Sequence, residues 1–293
     1  MFVVESDGTG LRLLLRRNRK PLARYTPSPD VAESDPSWSP NGRWLALVKS
    51  GEVWIAAGGG SEARVLVSRD QGGGFDPAWR PDGKRLLFLQ DAPTQPTVNR
   101  FTRALSLYSI GRDGTRLRRE SRRPVIGEAV SRSPDGIRAA FLAGAVRSLG
   151  ARTTVRLMSV DGERRSTLLR ARRGEAFGPV GWSPDGRQIA LIRWRKDARR
   201  ELQVMNADGT GRRTLARGRF LADAPCWSPD GTRVAVVLVY ANRNGGSRQG
   251  TITLHVPFTQ STIVVMNAAD GSNRRSIFTS RSAIGDLDWQ PLP

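Results

Sequence analysis

The side chains able to do covalent chemistry are few. His255 is the only histidine and Cys226 the only cysteine in the chain. A nucleophilic serine served by a histidine base needs an elbow such as G-x-S-x-G, and the sequence contains none. A single histidine excludes a histidine-rich metal site by count. The recurring Asp-Gly pairs lack the dense Asp/Asn alternation of a calcium loop, and they read as turns. The glycine runs Gly58–Gly60 and Gly72–Gly74 precede neither a helix nor a Lys-Ser/Thr pair, so they are not phosphate loops. Cys226 can form no internal disulfide and reads as a buried, inert thiol. No cofactor follows from these residues.

What the sequence offers is charge. Lysine and arginine number 47 against 27 aspartate and glutamate, a net charge of +20. Such a surface attracts nucleic acid, anionic headgroups or acidic polysaccharide without specificity. The arginines nevertheless recur at like places: Arg43, Arg85, Arg187 and Arg233 after one recurrent turn, and Arg164-Arg165, Arg212-Arg213 and Arg274-Arg275 further along. Even spacing of this kind reads as a solvated rim. A nucleic-acid groove would be a patch interleaved with exposed aromatics.

The elements behind these residues come from a repeat. Tryptophan followed by Ser-Pro-Asp-Gly appears at Trp182–Gly186 and Trp227–Gly231, with variants WSPNG at Trp38–Gly42 and WRPDG at Trp79–Gly83. A copy with arginine in place of tryptophan runs Arg132–Gly136, and a shortened one stands at Trp289–Pro291. The prolines, at 40, 81, 134, 184, 229 and 291, lie 41 to 62 residues apart, a period that suits four short strands per unit. Proline presets the turn, aspartate bonds to the local backbone, and glycine takes the left-handed position. An aliphatic run follows each turn, then a second run ending in another Asp-Gly turn, as at Leu202–Gly209 and Ile263–Gly271. Two apolar runs joined this way form a hairpin.

The fold class is therefore all-β: a six-bladed β-propeller of four-stranded antiparallel blades. The blades fall at about 35–69, 76–120, 128–170, 179–217 and 223–280, with a sixth shared between residues 1–17 and 285–293. Residues 1–293 form a single propeller domain. The two terminal pieces supply no second strand for the shared blade. Either that blade has three strands or an upstream segment carrying the missing one precedes Met1. The signature tryptophans 38, 79, 182, 227 and 289 are expected to pack between blades; Trp44, Trp54 and Trp194 fall outside that position.

Read together, D-P-x-W-S-P-D-G, the β-run and V-M-N-A-D-G-x-x-x-R-x-L resemble the WD-like repeat of the TolB-type β-propellers. Asp35–Gly42, Asp76–Gly83, Gln203–Leu215 and Val264–Ile277 carry the resemblance best. It implies a bacterial periplasmic or secreted protein that acts as a scaffold, binding partners through its surface and central funnel. The separate N-terminal domain that precedes the propeller in TolB is not in this sequence, and neither is a signal peptide. No apolar run reaches membrane-spanning length, and a monomer is expected.

The repeat is interrupted only in connections that a propeller places on one face: Arg17–Ser34, Asp91–Arg103, Arg193–Arg200 and Ala241–Gln260. The last ends in TITLHVPF, whose alternating Ile252, Leu254, Val256 and Phe258 read as a projecting hairpin. Loops on a rigid scaffold carry recognition. The candidate partner-binding residues are Arg100, Arg103, Arg193, Trp194, Arg195, Arg243, Arg248, His255 and Phe258. The expected function is non-catalytic protein binding. Two other readings stay open: a funnel-sited hydrolase or lyase, with a carboxylate-held divalent metal, or the detached propeller of a peptidase; and a binder of acidic polymer or polysaccharide through a basic rim. Nucleic acid is the less favoured partner.

Overall fold

The signature turn closes through its serine. Ser183 Oγ donates to the Asp185 carboxylate (2.6 Å) and accepts the Gln188 N–H (2.8 Å), while Asp185 accepts the Arg187 N–H (3.0 Å). Ser228 with Asp230 and Ser39 with Asn41 repeat the arrangement. In the second turn of three units, at Asp113, Asp208 and Asp270, the aspartate holds the residue two ahead, as Asp208 does through the Thr210 N–H and hydroxyl. The hydroxyls of Ser183, Ser228 and Thr210 hold the carboxyls of Asp185, Asp230 and Asp208 below the ordinary carboxylate range. A carboxyl lowered on folding stabilises the fold above its unfolded pKa of about 3.9, and that contribution disappears as pH falls through the lower folded value. Melting temperature is accordingly expected to drop below about pH 4, and the deficit of Asp185→Ala to shrink below about pH 3. Thermal unfolding followed by circular dichroism across this range checks both.

The computed structural model describes residues 2–3, 12–13, 33–91, 104–121, 125–126, 128–143, 153–159, 163–197, 199–218, 221–222, 225–241, 258–280 and 287–291. Among them are five antiparallel blades of four-stranded design. Blade 1 comprises Glu33–Trp38, Trp44–Lys49, Glu52–Ala57 and Arg64–Val67. Blade 2 comprises Phe75–Trp79, Arg85–Asp91, Ala104–Gly111 and Arg118–Arg119, with Val125–Ile126 also on its third strand. Blade 3 comprises Glu128–Arg132, Arg138–Ala143, Thr154–Ser159 and Arg165–Arg170. Blade 4 comprises Glu175–Trp182, Gln188–Arg195, Arg200–Asn206 and Arg213–Gly218. In blade 5 the first strand is split into Leu221–Ala222 and Cys226–Trp227, followed by Arg233–Ala241, Phe258–Asn267 and Arg275–Ser280.

The first strands of blades 1 to 4 share one irregularity. Their register to the second strand slips between Ser34 and Ser37, Phe75 and Ala78, Glu128 and Ser131, and Phe177 and Val180. Asp35-Pro36, Asp76-Pro77 and Gly178-Pro179 occupy three of these bulges, where a proline costs no ladder bond.

Apolar faces meet between neighbours. Ile55 and Val67 of blade 1 pack with Trp79 and Phe88 of blade 2; Leu142 and Val155 of blade 3 pack with Phe177, Trp182 and Leu191 of blade 4. Blade 4 in turn presents Ile192, Leu202 and Val204 to Trp227 and Val236 of blade 5. The signature tryptophans add a directed bond. Trp79, Trp182 and Trp227 each donate the indole N–H to a first-strand carbonyl of the preceding blade, at Ser37 (3.0 Å), Ser131 (3.1 Å) and Gly181 (3.1 Å). Arg132, in the tryptophan position of blade 3, reaches the Asp76 and Leu87 carbonyls instead. Burial pulls its pKa down to about 10 against the attraction of Asp76. The turns pack in the same sense: a methyl group on Gly83, Gly136, Gly186 or Gly231 would lie 3.6–3.9 Å from the signature proline of the blade before.

The expected sixth blade is not formed among the described residues. Phe2–Val3 and Arg12–Leu13 pair only with each other, and residues 287–291 join no ladder. Among the described residues no strand lies between these pieces, and a first and a third strand need a second to hydrogen-bond through. The shortened signature nonetheless sits between blades 5 and 1. Trp289 lies under the Arg233 guanidinium (5.2 Å), as Trp182 lies under Arg138 (5.0 Å). Toward blade 1, Asp288 accepts the Trp38 N–H (2.7 Å) and the Gln290 amide donates to the Gly42 carbonyl (3.0 Å). Cys226 is half-buried, and desolvation, reinforced by the Asp288 charge, pushes its thiol well above the ordinary range. That keeps it protonated and a poor nucleophile.

The even arginine spacing is only partly a solvated rim. Arg43 and Arg187 are exposed. Arg213, however, stitches blade 4 to blade 5 through the Ala268 carbonyl (2.9 Å), and Arg85 turns in to donate to Ser109 Oγ (2.6 Å).

Candidate functional site

Blade 4 departs from the others at one end of its sheet. Cross-strand partners in an antiparallel sheet share a face. The register aligns Arg193, Glu201 and Arg217 in one row, and Glu175 with Arg195 in the next. All five project toward blade 3. The alternate pair, Trp194 and Arg200, projects toward blade 5, with the guanidinium 5.4 Å over the indole.

Register also identifies the equivalents of the Arg193–Glu201 pair: Lys49–Glu52 in blade 1, Gln90–Ser106 in blade 2, Ala143–Thr154 in blade 3 and Leu238–Thr262 in blade 5. Only blade 1 also carries a charged pair there, and it sits at a tight hairpin. In blade 4 the charges are drawn inward, with the Arg193 side chain 15% and the Glu201 side chain 7% exposed.

Arg193 is clamped between carboxylates. One Nη donates to Glu175 and the other to Glu201 at 3.1 Å. Glu201 also accepts the Gln203 amide (2.8 Å) and has the Arg217 Nε at 3.5 Å and an Arg195 Nη at 3.9 Å. Burial works against both charges of the Arg193–Glu175 pair, and the pairing outweighs it: the arginine pKa is raised and that of Glu175 lowered. The network carries unused capacity. Arg193 Nε, Arg200 Nε, Trp194 Nε1 and Gln203 Oε1 are buried without a hydrogen-bond partner.

Two cavities adjoin across the Arg193–Glu201 pair. One, of about 540 Å³, follows the fourth strand of blade 3 and is lined by Leu168, Leu169, Arg170, Arg172, Glu175, Arg193, Gly209 and Arg212. The other, of about 470 Å³, is lined by Arg195, Arg199, Glu201, Arg217 and Gly218. The connections at this end touch as well, since the Lys196 N–H donates to the Gly174 carbonyl (2.8 Å). Guanidinium groups stay charged and cannot serve as bases at neutral pH, and Glu175 is held ionised. The arrangement is suited to binding anions and offers no proton-transfer group. Among the described residues no three His, Cys, Asp or Glu side chains converge as metal ligands, and no helix is long and apolar enough to cross a membrane.

Of the residues expected to bind a partner, Arg193, Trp194 and Arg195 come together here. Arg193 lines one cavity while locked in its ion pairs, Arg195 lines the other, and Trp194 lies on the opposite face against Arg200. Arg100, Arg103, Arg243, Arg248 and His255 lie outside the described residues, as does most of the projecting hairpin. Phe258 opens the third strand of blade 5. Sequence reasoning missed Glu175, Glu201 and Arg217, together with Arg170, Arg172 and Arg212 across the groove. The available signal was a glutamate at a core-facing strand position that is neutral in blades 2, 3 and 5.

The fold defines a β-propeller, and comparison with known proteins finds it similar to TolB propellers. The protein assigned as TolB from Agrobacterium tumefaciens superposes with a TM-score of 0.66 at 17% identity, over 96% of this chain and 90% of that one. A 78-residue segment, 27% of the chain, is 36% identical to 18% of the Tol-Pal system protein TolB of Alcanivorax borkumensis. A 117-residue segment, 36% of the chain, is 30% identical to 16% of the uncharacterized peptidase YuxL of Bacillus subtilis. The matched segments thus span less than a fifth of the length of the Alcanivorax and Bacillus relatives. No protein-family model matches it.

Proposed function

We propose that this chain is a non-catalytic, protein-binding propeller of the bacterial envelope. The observation that carries the reading is the rigid arginine array on blade 4, fixed by buried carboxylates beside connections that touch one another. Likeness to TolB supports it, because the Alcanivorax relative is named for the Tol-Pal system. The insertions bearing Arg100, Arg103, Arg243, Arg248, His255 and Phe258 belong to connections of the same kind and would extend the binding face.

The test is site-specific photocrosslinking in the native host. A photoreactive residue replaces exposed Lys196 on this edge or, as control, exposed Arg187 on the opposite edge. A discrete crosslinked protein from position 196 and none from 187 is the expected result. No crosslink from either position, with turnover of polygalacturonate or peptide substrates by the purified chain, would replace this reading with an enzymatic one.

A further inference from the structure

Resting on the protein-binding reading, we propose that the groove between blades 3 and 4 docks an acidic segment of the partner in extended conformation. Its wall is the fourth strand of blade 3, Arg165–Arg170, which at ~3.3 Å per residue is about 20 Å long and accommodates about six extended residues. Leu168 and Leu169 give that wall a half-buried apolar floor.

The charge inside the groove is unbalanced. Arg193 is neutralised by Glu175 and Glu201; Arg170 and Arg212 form no salt bridge among the described residues, and Arg172 reaches only the already paired Glu175, through its backbone N–H and its charge. At the far end Arg199 and Arg217 are 67% and 70% exposed and share their carboxylate partners with other arginines. The neighbouring Arg193, Arg195, Arg199 and Arg217 take carboxylates from this chain, and a further carboxylate is an incoming group of the same kind for the arginines that have none.

The surroundings select among polyanions. Single-stranded nucleic acid requires aromatic faces for its bases, and the tryptophan of this region lies on the opposite face of the sheet under Arg200. A lipid surface requires exposed apolar side chains. The large exposed hydrophobics among the described residues are Val65, Leu117 and Ile137, none of them in the groove. Glutamate or aspartate side chains on an extended backbone would meet the arginines that line both cavities.

Fluorescein-labelled deca-glutamate binding to the full chain, read by anisotropy at low salt, is the test. The variant R170E/R199E/R212E is expected to weaken binding at least about tenfold, since charge reversal acts strongly on a complementary site. R43E/R119E/R274E changes three exposed arginines elsewhere by the same total charge and should weaken it less than about threefold. Should the reversal variant fail to fold by circular dichroism, R170Q/R199Q/R212Q is used with the same comparison. Equal loss in both triples, no binding by the wild type, or stronger competition by oligogalacturonate or a thymidine decanucleotide overturns the proposal. The crosslinking above fails independently: a partner captured at position 196 with no deca-glutamate binding removes the acidic segment and keeps the protein-binding reading.

Discussion

Glu201→Leu is expected to cost about 3–5 kcal/mol of stability, because it removes one partner of a buried ion pair and leaves the other charged. Arg193 would keep Glu175, but Arg195 and Arg217 would face it across the space that Glu201 had occupied, and Gln203 would lose its acceptor. The double variant Arg193→Leu/Glu201→Thr copies the Leu238–Thr262 pair that blade 5 uses at the same register. Replacing both charges by this pair is expected to recover part of the loss, since Glu175 then keeps only the N–H and the charge of Arg172. Urea denaturation of the three proteins measures this. A single-variant loss below about 1 kcal/mol would mean that water screens the cluster as it does a surface pair. The comparison also separates roles: a double variant that folds well and loses deca-glutamate binding would show that the ion pair shapes the groove.

Gly42→Ala should be the most damaging of the signature-turn glycine substitutions. Gly42 and Gly83 have nearly the same backbone, with φ of 66° and 61°. An L-residue there costs about 1–2 kcal/mol in either turn. The surroundings differ. A methyl group on Gly83 meets only Pro40, at 3.9 Å, whereas one on Gly42 would run into the Pro291 carbonyl oxygen. That collision forces residues 288–291 off blade 1 and breaks the Asp288–Trp38 and Gln290–Gly42 hydrogen bonds. Gly42→Ala is expected to lose at least about 2 kcal/mol more than Gly83→Ala. The excess should vanish in a chain truncated after residue 287. Denaturant titration of the four proteins gives the comparison directly.

The propeller was legible because its turns are chemically explicit. Ser-Pro-Asp-Gly states the local hydrogen bonds, the proline and the left-handed glycine at once, and Trp182 or Trp227 marks the strand before it. The terminal blade was misread for a reason equally local. A tryptophan and a proline at 289 and 291 identify a first-strand position, yet strand pairing depends on a neighbour that a single motif does not contain. The residues around Glu201 were harder. Arg193 and Arg195 drew notice as part of a basic run, but their chemistry depends on which face of the sheet each occupies. That is decided by pairing with Glu201 and Arg217, eight and more positions away. Arg170 and Arg172 reach the groove only through packing of one blade on the next, which leaves no trace in local composition.

The bonds of Trp79, Trp182 and Trp227, and those of Arg132 in the same position, point backward along the chain to the blade before. Blades 2 to 5 can therefore dock in order as the chain lengthens, each arriving where its acceptor is already in place. Blade 1 is different. Its seam is filled by residues some 250 positions later, with Asp288 reaching Trp38. Contacts of such sequence separation form slowly. Until they do, Trp38, Leu45 and Leu47 border an open cleft, and that cleft is the surface most exposed to aggregation during synthesis.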